Sequence, residues 1–206
     1  MRGLRRGQGM LELIITFAVV GIGLGASLTL LLTSGVQNRR TELDAIAENL
    51  AREGVEVIRA IRDSNWLARQ RFDTGLYFPA NGDTDGTFVF NPATGGWAMD
   101  FSAAAWLGTD PQFPAPAATV YEDSNVYKQT VAGGPGATTQ FQRVFRITSL
   151  CRAPGIIPFP DATCGGTWPA NLNSKAGVVA SVYVQWTDRG KTYSTSLETH
   201  LYDWKL

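Results

Sequence analysis

The feature that most constrains this chain is a run from Leu13 to Leu32 that carries no charged residue and follows a single carboxylate, Glu12. Its length is about the 20 residues that a helix needs to cross the hydrocarbon core of a bilayer. Arg2, Arg5 and Arg6 precede it. A short N-terminal flank rich in Arg stays on the cytoplasmic side, so the rest of the chain is expected outside the cytoplasm. Glu12 is the informative residue. An ionisable group in or beside a membrane helix is costly and points to function; at the headgroup level it would be only a cheap flanking charge.

The approach to the run reads Gly7-Gln8-Gly9-Met10-Leu11-Glu12, a basic leader ending in Gly with Glu at the fifth position beyond it. This pattern resembles the class III signal of type IV pilins and pseudopilins. The resemblance implies that a membrane prepilin peptidase cuts between Gly7 and Gln8 and methylates the new terminus. It further implies that Glu12 pairs with a free amino terminus when subunits assemble, so that two charges costly alone become tolerable together. A cut after Gly9 would put Ile14 where the Glu belongs. Gln8 replaces the usual Phe, and Thr29 the usual helix-bending Pro of major pilins. Both departures favour a minor pilin or pseudopilin. Other pilin or pseudopilin subunits, and the membrane before assembly, are the implied partners. The function implied is that of a structural subunit of a type IV pilus or type II secretion-like filament. The rival reading is a membrane-tethered or secreted binding domain with a conventional signal cut near Ala26-Ser27, which leaves Glu12 without a role.

Beyond the run the chain turns polar at Gln37–Glu42, and then Leu43, Ile46, Ala47, Leu50, Gly54, Val57, Ile58 and Ile61 recur at the spacing of one helix face. The helix is therefore expected to continue as an amphipathic stem to about residues 63–65. Gly21, Gly23 and Gly25 are expected to be its flexible point. From Trp66 onward Gly, Pro, Thr, Asn and aromatic residues dominate, as in short strands between turns. A hairpin is expected from Thr87–Phe90 and Trp97–Phe101, and further strands at Tyr127–Val131, Gln140–Leu150, Ala176–Trp186 and Thr192–Trp204. The imperfect alternation of Gln140–Ile147 leaves room for a bulge, and Ala103–Val120 is expected to be irregular. The fold class is α+β: a long N-terminal helix, half membrane-spanning and half amphipathic, packed on an antiparallel sheet. The expected divisions are a leader at 1–7, the helix at 8–65 and a β-rich head at 66–206.

Charge excludes little beyond a generic nucleic-acid binder. Eighteen basic side chains balance eighteen acidic ones, and removing the leader leaves a slight acidic excess. Cys151 and Cys164, the only cysteines, fall in the part expected outside the cytoplasm, where a disulfide between them can persist. Such a bridge would close a Pro- and Gly-rich loop and stabilise the head by about 3 kcal/mol in the chain-entropy account. Asn81, Asp83 and Asp85, followed by Gly86, occupy the opening positions of a calcium loop, but Pro92 stands where the closing Glu belongs. That excludes the complete loop but not a smaller oxygen cage for calcium; Asn, Asp and Gly also serve any turn, so no cofactor is expected, with calcium as the alternative. His200, the only His, is expected on a strand surface beside Glu198, and no catalytic motif can be assembled around it. The tryptophans are expected mostly in the core, with a glycan-binding platform as the alternative.

Overall fold

A computed structural model describes residues 5–76, 84–91, 93–102, 106–107, 110–130, 136–153, 156–160 and 175–203, with the backbone alone at 5–8, 84, 106–107, 152–153 and 156–160. One helix, α1 (Arg5–Leu67), is followed by ten strands: β1 (Thr84–Asn91), β2 (Gly96–Asp100), β3 (Trp106–Leu107), β4 (Asp110–Pro111), β5 (Thr119–Asp123), β6 (Val126–Gln129), β7 (Ala137–Ala153), β8 (Ile156–Pro160), β9 (Lys175–Asp188) and β10 (Lys191–Tyr202). The chain divides into two compact units, Met1–Ala45 and Ile46–Leu206.

The first unit is the amino-terminal part of α1. Its apolar side chains from Met10 to Val36 are exposed, and it contains the one helix among the described residues that is long and apolar enough to cross a membrane, with a window of mean hydropathy 2.2. The hydroxyls in the run are satisfied locally. Thr16 donates to the Glu12 carbonyl (2.8 Å), Ser27 to that of Gly23 (2.9 Å) and Thr29 to that of Gly25 (2.9 Å). Each hydroxyl is thereby spared an unmet bond in an apolar setting. The helix is unbroken through Gly21, Gly23 and Gly25.

In the second unit, α1 lies on an 8-stranded antiparallel sheet with the central order β10-β9-β7-β1-β2. The buried stripe of the helix comprises Ala47, Leu50, Ala51, Val55, Val57 and Ile58, with Gly54 buried among them. Ile46 and Ile61, expected in this stripe, are half-buried, whereas Ala51 and Val55 replace them at its centre. Gly54 explains how close the helix comes: a Cβ there would lie 2.9 Å from Val182 Cγ1 and 3.1 Å from the Phe88 ring. The helix ends two residues later than expected. The Asn65 side chain then donates to the carbonyls of Phe72 (3.1 Å) and Thr74 (2.7 Å), fastening the following turn.

The last hairpin matches expectation. Val178, Ala180, Val182, Val184 and Trp186 are buried on the helix side of β9, and β10 returns through a two-residue turn with Arg189 and Gly190 at φ 51° and 76°. Two positive φ values make this a turn whose twist suits the strands it joins. The β1–β2 hairpin is also where expected, with Phe88 opposite Met99 and Phe90 opposite Trp97. Within β1, residues Thr84–Gly86 pair with β7 before Thr87–Asn91 pass to β2. Gly86 permits the change of partner, because a Cβ there would collide with the Asp100 carbonyl oxygen.

One expectation is corrected and another is refined. The stretch 103–120 is not free of regular structure: β3 and β4 form a short ladder, and Thr119 begins β5, which pairs with β6 and β7. Against β9, β7 runs in continuous register from Phe141 to Leu150, but against β5 the stretch Thr138–Gln142 spans only Thr119–Tyr121, an irregularity at the start of the segment where the sequence leaves room for a bulge. The alternation is imperfect for a second reason as well. Both faces of β7 are covered, so Val144 on one and Phe145 on the other are fully buried, Val144 packing with Ala118, Phe113 and Tyr183.

Candidate functional site

Glu12 is exposed on α1 at the threshold of the apolar run, and the Gly7–Gln8 bond lies in the first turns of the same helix. The first N–H groups of a helix have no partner within it, so this end opens at little cost. Chemically, the arrangement presents one carboxylate at the head of an uncovered apolar surface. It can bind a cation brought to it among apolar helices, and any such pairing would be strengthened by the absence of water.

The other sequence candidates are not brought together. Cys151 is buried on β7 opposite Lys175 of β9, and the described residues include no free thiol. Cys164 lies outside them. Asn81 and Asp83 also lie outside, while Asp85 sits on β1 opposite Arg146. Among the described residues no three metal-ligating side chains cluster. Exposed His200 meets Glu198 (Nε2 to Oε1, 3.2 Å), whose other oxygen accepts from Ser181 (3.2 Å). The carboxylate therefore sits between Ser and His. In that order the imidazole has no contact with the hydroxyl and cannot take its proton as a base would. Trp186 and Trp66 are buried, and Trp97 is half-buried against Phe90; the side chains of Trp106, Trp168 and Trp204 lie outside the described residues.

Two buried ionic groups that sequence reasoning missed tie the sheet to the helix and to the turn that follows it. Arg143, in the middle of β7, is fully buried. Its Nη1 donates to the Leu50 carbonyl (3.0 Å) and to Glu53 Oε2 (2.7 Å), and its Nε to Gln129 Oε1 (3.2 Å). The guanidinium lies 4.7 Å from the Phe88 ring centroid and 5.1 Å from that of Trp97; Nη2 makes no hydrogen bond. Gln129 in turn donates to the carbonyls of Ala117 and Arg143, 2.8 Å each. Burial lowers the pKa of Arg143, and the adjacent Glu53 works against that shift. The one signal in the sequence is an Arg flanked at two-residue spacing by Phe141 and Phe145, which puts a cation on an aromatic face.

The second group is Asp73 with Lys175, 3.0 Å apart and both almost wholly buried. Arg71 adds a second cation to the carboxylate at 3.1 Å. Burial tends to raise the Asp73 pKa, but Lys175 and the bonds from both cations outweigh it and hold the carboxyl below its ordinary range. Lys175 is pushed down, chiefly by burial, with Asp73 opposing the shift. The asymmetry has a simple cause: the acid faces two cations, the lysine one anion and one competing cation.

No family model, no curated protein and no solved structure matches the chain.

Proposed function

We propose that this chain is a type IV pilin-like structural subunit, a minor pilin or pseudopilin of a type IV pilus or type II secretion-like filament. The observation that carries the reading is the conjunction on one helix of an exposed apolar segment headed by Glu12 and a buried stripe seated on an antiparallel sheet. Such a helix can anchor in lipid at one end and organise a head at the other. On this reading a prepilin peptidase cuts after Gly7, Gln8 becomes the methylated first residue, and Glu12 receives an amino terminus when the subunit joins its neighbours. The head lies outside the cytoplasm, with Cys151 and Cys164 bridged. The work is assembly rather than catalysis.

Length and composition do not by themselves tell a membrane anchor from a signal sequence at this end of the chain. The processing site therefore separates this reading from a secreted or tethered binding domain. Intact-mass and N-terminal peptide analysis of protein purified from a host with a prepilin peptidase should give Gln8, methylated, as the first residue. A terminus near Ser27 would establish the rival instead.

A further inference from the structure

We propose that the outer edge of β10 is a docking surface for β10 of a second copy of this chain, added antiparallel about a two-fold axis at Leu197. Among the described residues β10 pairs with β9 alone. Its 12 residues include no Pro and keep unbroken register with β9 from Lys191 to Tyr202. An edge this long and regular is a template for another strand, and the usual defences of Pro, bulges and lysines are confined to Lys191 at one end.

One bond determines which main-chain groups the edge offers. Asp203 N donates to the Ala176 carbonyl (2.8 Å), directly across the continued β9–β10 ladder. Orientation alternates along a strand, so the odd-numbered residues of β10 turn their N–H and C=O towards β9. The even-numbered ones, Thr192 to Tyr202, turn theirs outward, and their side chains are exposed as well. Two such edges can bond only in registers that set even against even.

The register centred on Leu197 fits best among these. It sets Ser196 against Glu198 of the second copy, Ser194 against His200, Tyr193 against Leu201 and Lys191 against Asp203, so no like charges are opposed. Leu197, 37% exposed, meets its own copy at a site without main-chain bonds, where opposed Cα atoms come within about 4.5 Å. Sliding two residues one way opposes Glu198 to itself, which is destabilising. Sliding the other way opposes Leu197 to Thr195 and loses the apolar pair. Beside Leu197 is a notch of about 170 Å³ lined by Glu48, Ala51, Arg52 and Thr195–Leu197, a partly apolar seat for the incoming leucine. Glu48 and Arg52, an exposed pair at 3.7 Å, flank it, and the two-fold reverses their order, setting acid towards base.

A two-fold axis normal to the sheet also reverses the helix lying along that sheet. The contact therefore joins heads whose stems run in opposite directions. Taken with the filament reading, on which this point alone rests, it links separate filaments and not neighbours within one. A single edge contact is weak, and repetition along two filaments multiplies it.

The test uses the full chain in detergent, mildly oxidised and run on a non-reducing gel. Only a residue on the axis faces itself, so Leu197→Cys should give several-fold more covalent dimer than Ser194→Cys or the unaltered chain. Adding Ser196→Pro, which removes an outward N–H and none directed at β9, should reduce that dimer. Equal dimer from Leu197→Cys and Ser194→Cys, or a Leu197→Cys dimer indifferent to Ser196→Pro, overturns the proposal. The N-terminal mass of the same sample reports on the filament reading separately.

Discussion

Arg143 makes the residue-scale case that the head depends on a cation in its interior. Arg143→Ala leaves Gln129 short of a donor and opens a hole beside Phe88, and should cost roughly 3 kcal/mol in urea unfolding followed by Trp fluorescence. Arg143→Met with Gln129→Leu should cost much less, because replacing a buried polar set with apolar groups of similar volume is often near neutral. An equal loss in both would show that the charge and its hydrogen bonds matter and the volume does not. Asp73 supplies a pH-dependent counterpart. Its pKa is lower in the folded chain than in the unfolded one, so its contribution is present above the unfolded value, about 3.9, and is lost as pH falls through the lowered folded value. Asp73→Asn should therefore lower stability at neutral pH and flatten the profile below about pH 4, as followed by acid titration of the Trp signal. Neither residue was legible in the sequence. Their partners stand 93 and 102 positions away, and although Phe141 and Phe145 flank Arg143 at two-residue spacing, nothing local to either residue names its partner.

At the scale of elements, the packing of helix on sheet turns on Gly54. Gly54→Ala gains about 1 kcal/mol in helix propensity but drives a methyl into Val182 and Phe88, where overpacking costs about 1 to 3 kcal/mol. A net loss of stability is expected, and Gly35→Ala, with open space around it, should show none. A gain at Gly54 would mean that the sheet gives way. The periodic elements were legible: α1 through its stripe, β9 and β10 through strict alternation, and the β1–β2 hairpin through its Gly-rich turn. The β5–β6 hairpin was not. Its turn residues Ser124 and Asn125 both have positive φ, 54° and 65°, a conformation that Asn tolerates and Ser seldom adopts, so the usual Asn-Gly or Asp-Gly signal is absent. The stem face was misread by one column because Ala51 and Val55 pack as well as the larger Ile46 and Ile61 where the sheet comes close.

For the whole molecule, the architecture of one long helix and one antiparallel sheet was legible because it rests on two periodicities and one hydropathy run. What the amino-terminal segment meets was not, since its apolar side chains from Met10 to Val36 are exposed. The assembly role proposed for Glu12 therefore has to be tested in cells. Glu12→Leu should leave cleavage after Gly7 and the fold of the head unchanged, yet lower the share of this subunit in sheared filaments relative to the membrane pool. Removing one member of a buried charge pair costs roughly 3 to 5 kcal/mol. Glu12→Gln should be milder, and normal incorporation of the Leu variant would reduce Glu12 to a flanking charge. The clamp at Arg143 has a consequence of another kind, for synthesis. The helix face that it grips leaves the ribosome more than ninety residues before the arginine does, an interval of about 5 to 20 s at ordinary elongation rates. Throughout that interval Ala47, Leu50, Val55 and Ile58 have no sheet to cover them, so the nascent chain carries its apolar stripe bare until β7 and β9 have been translated.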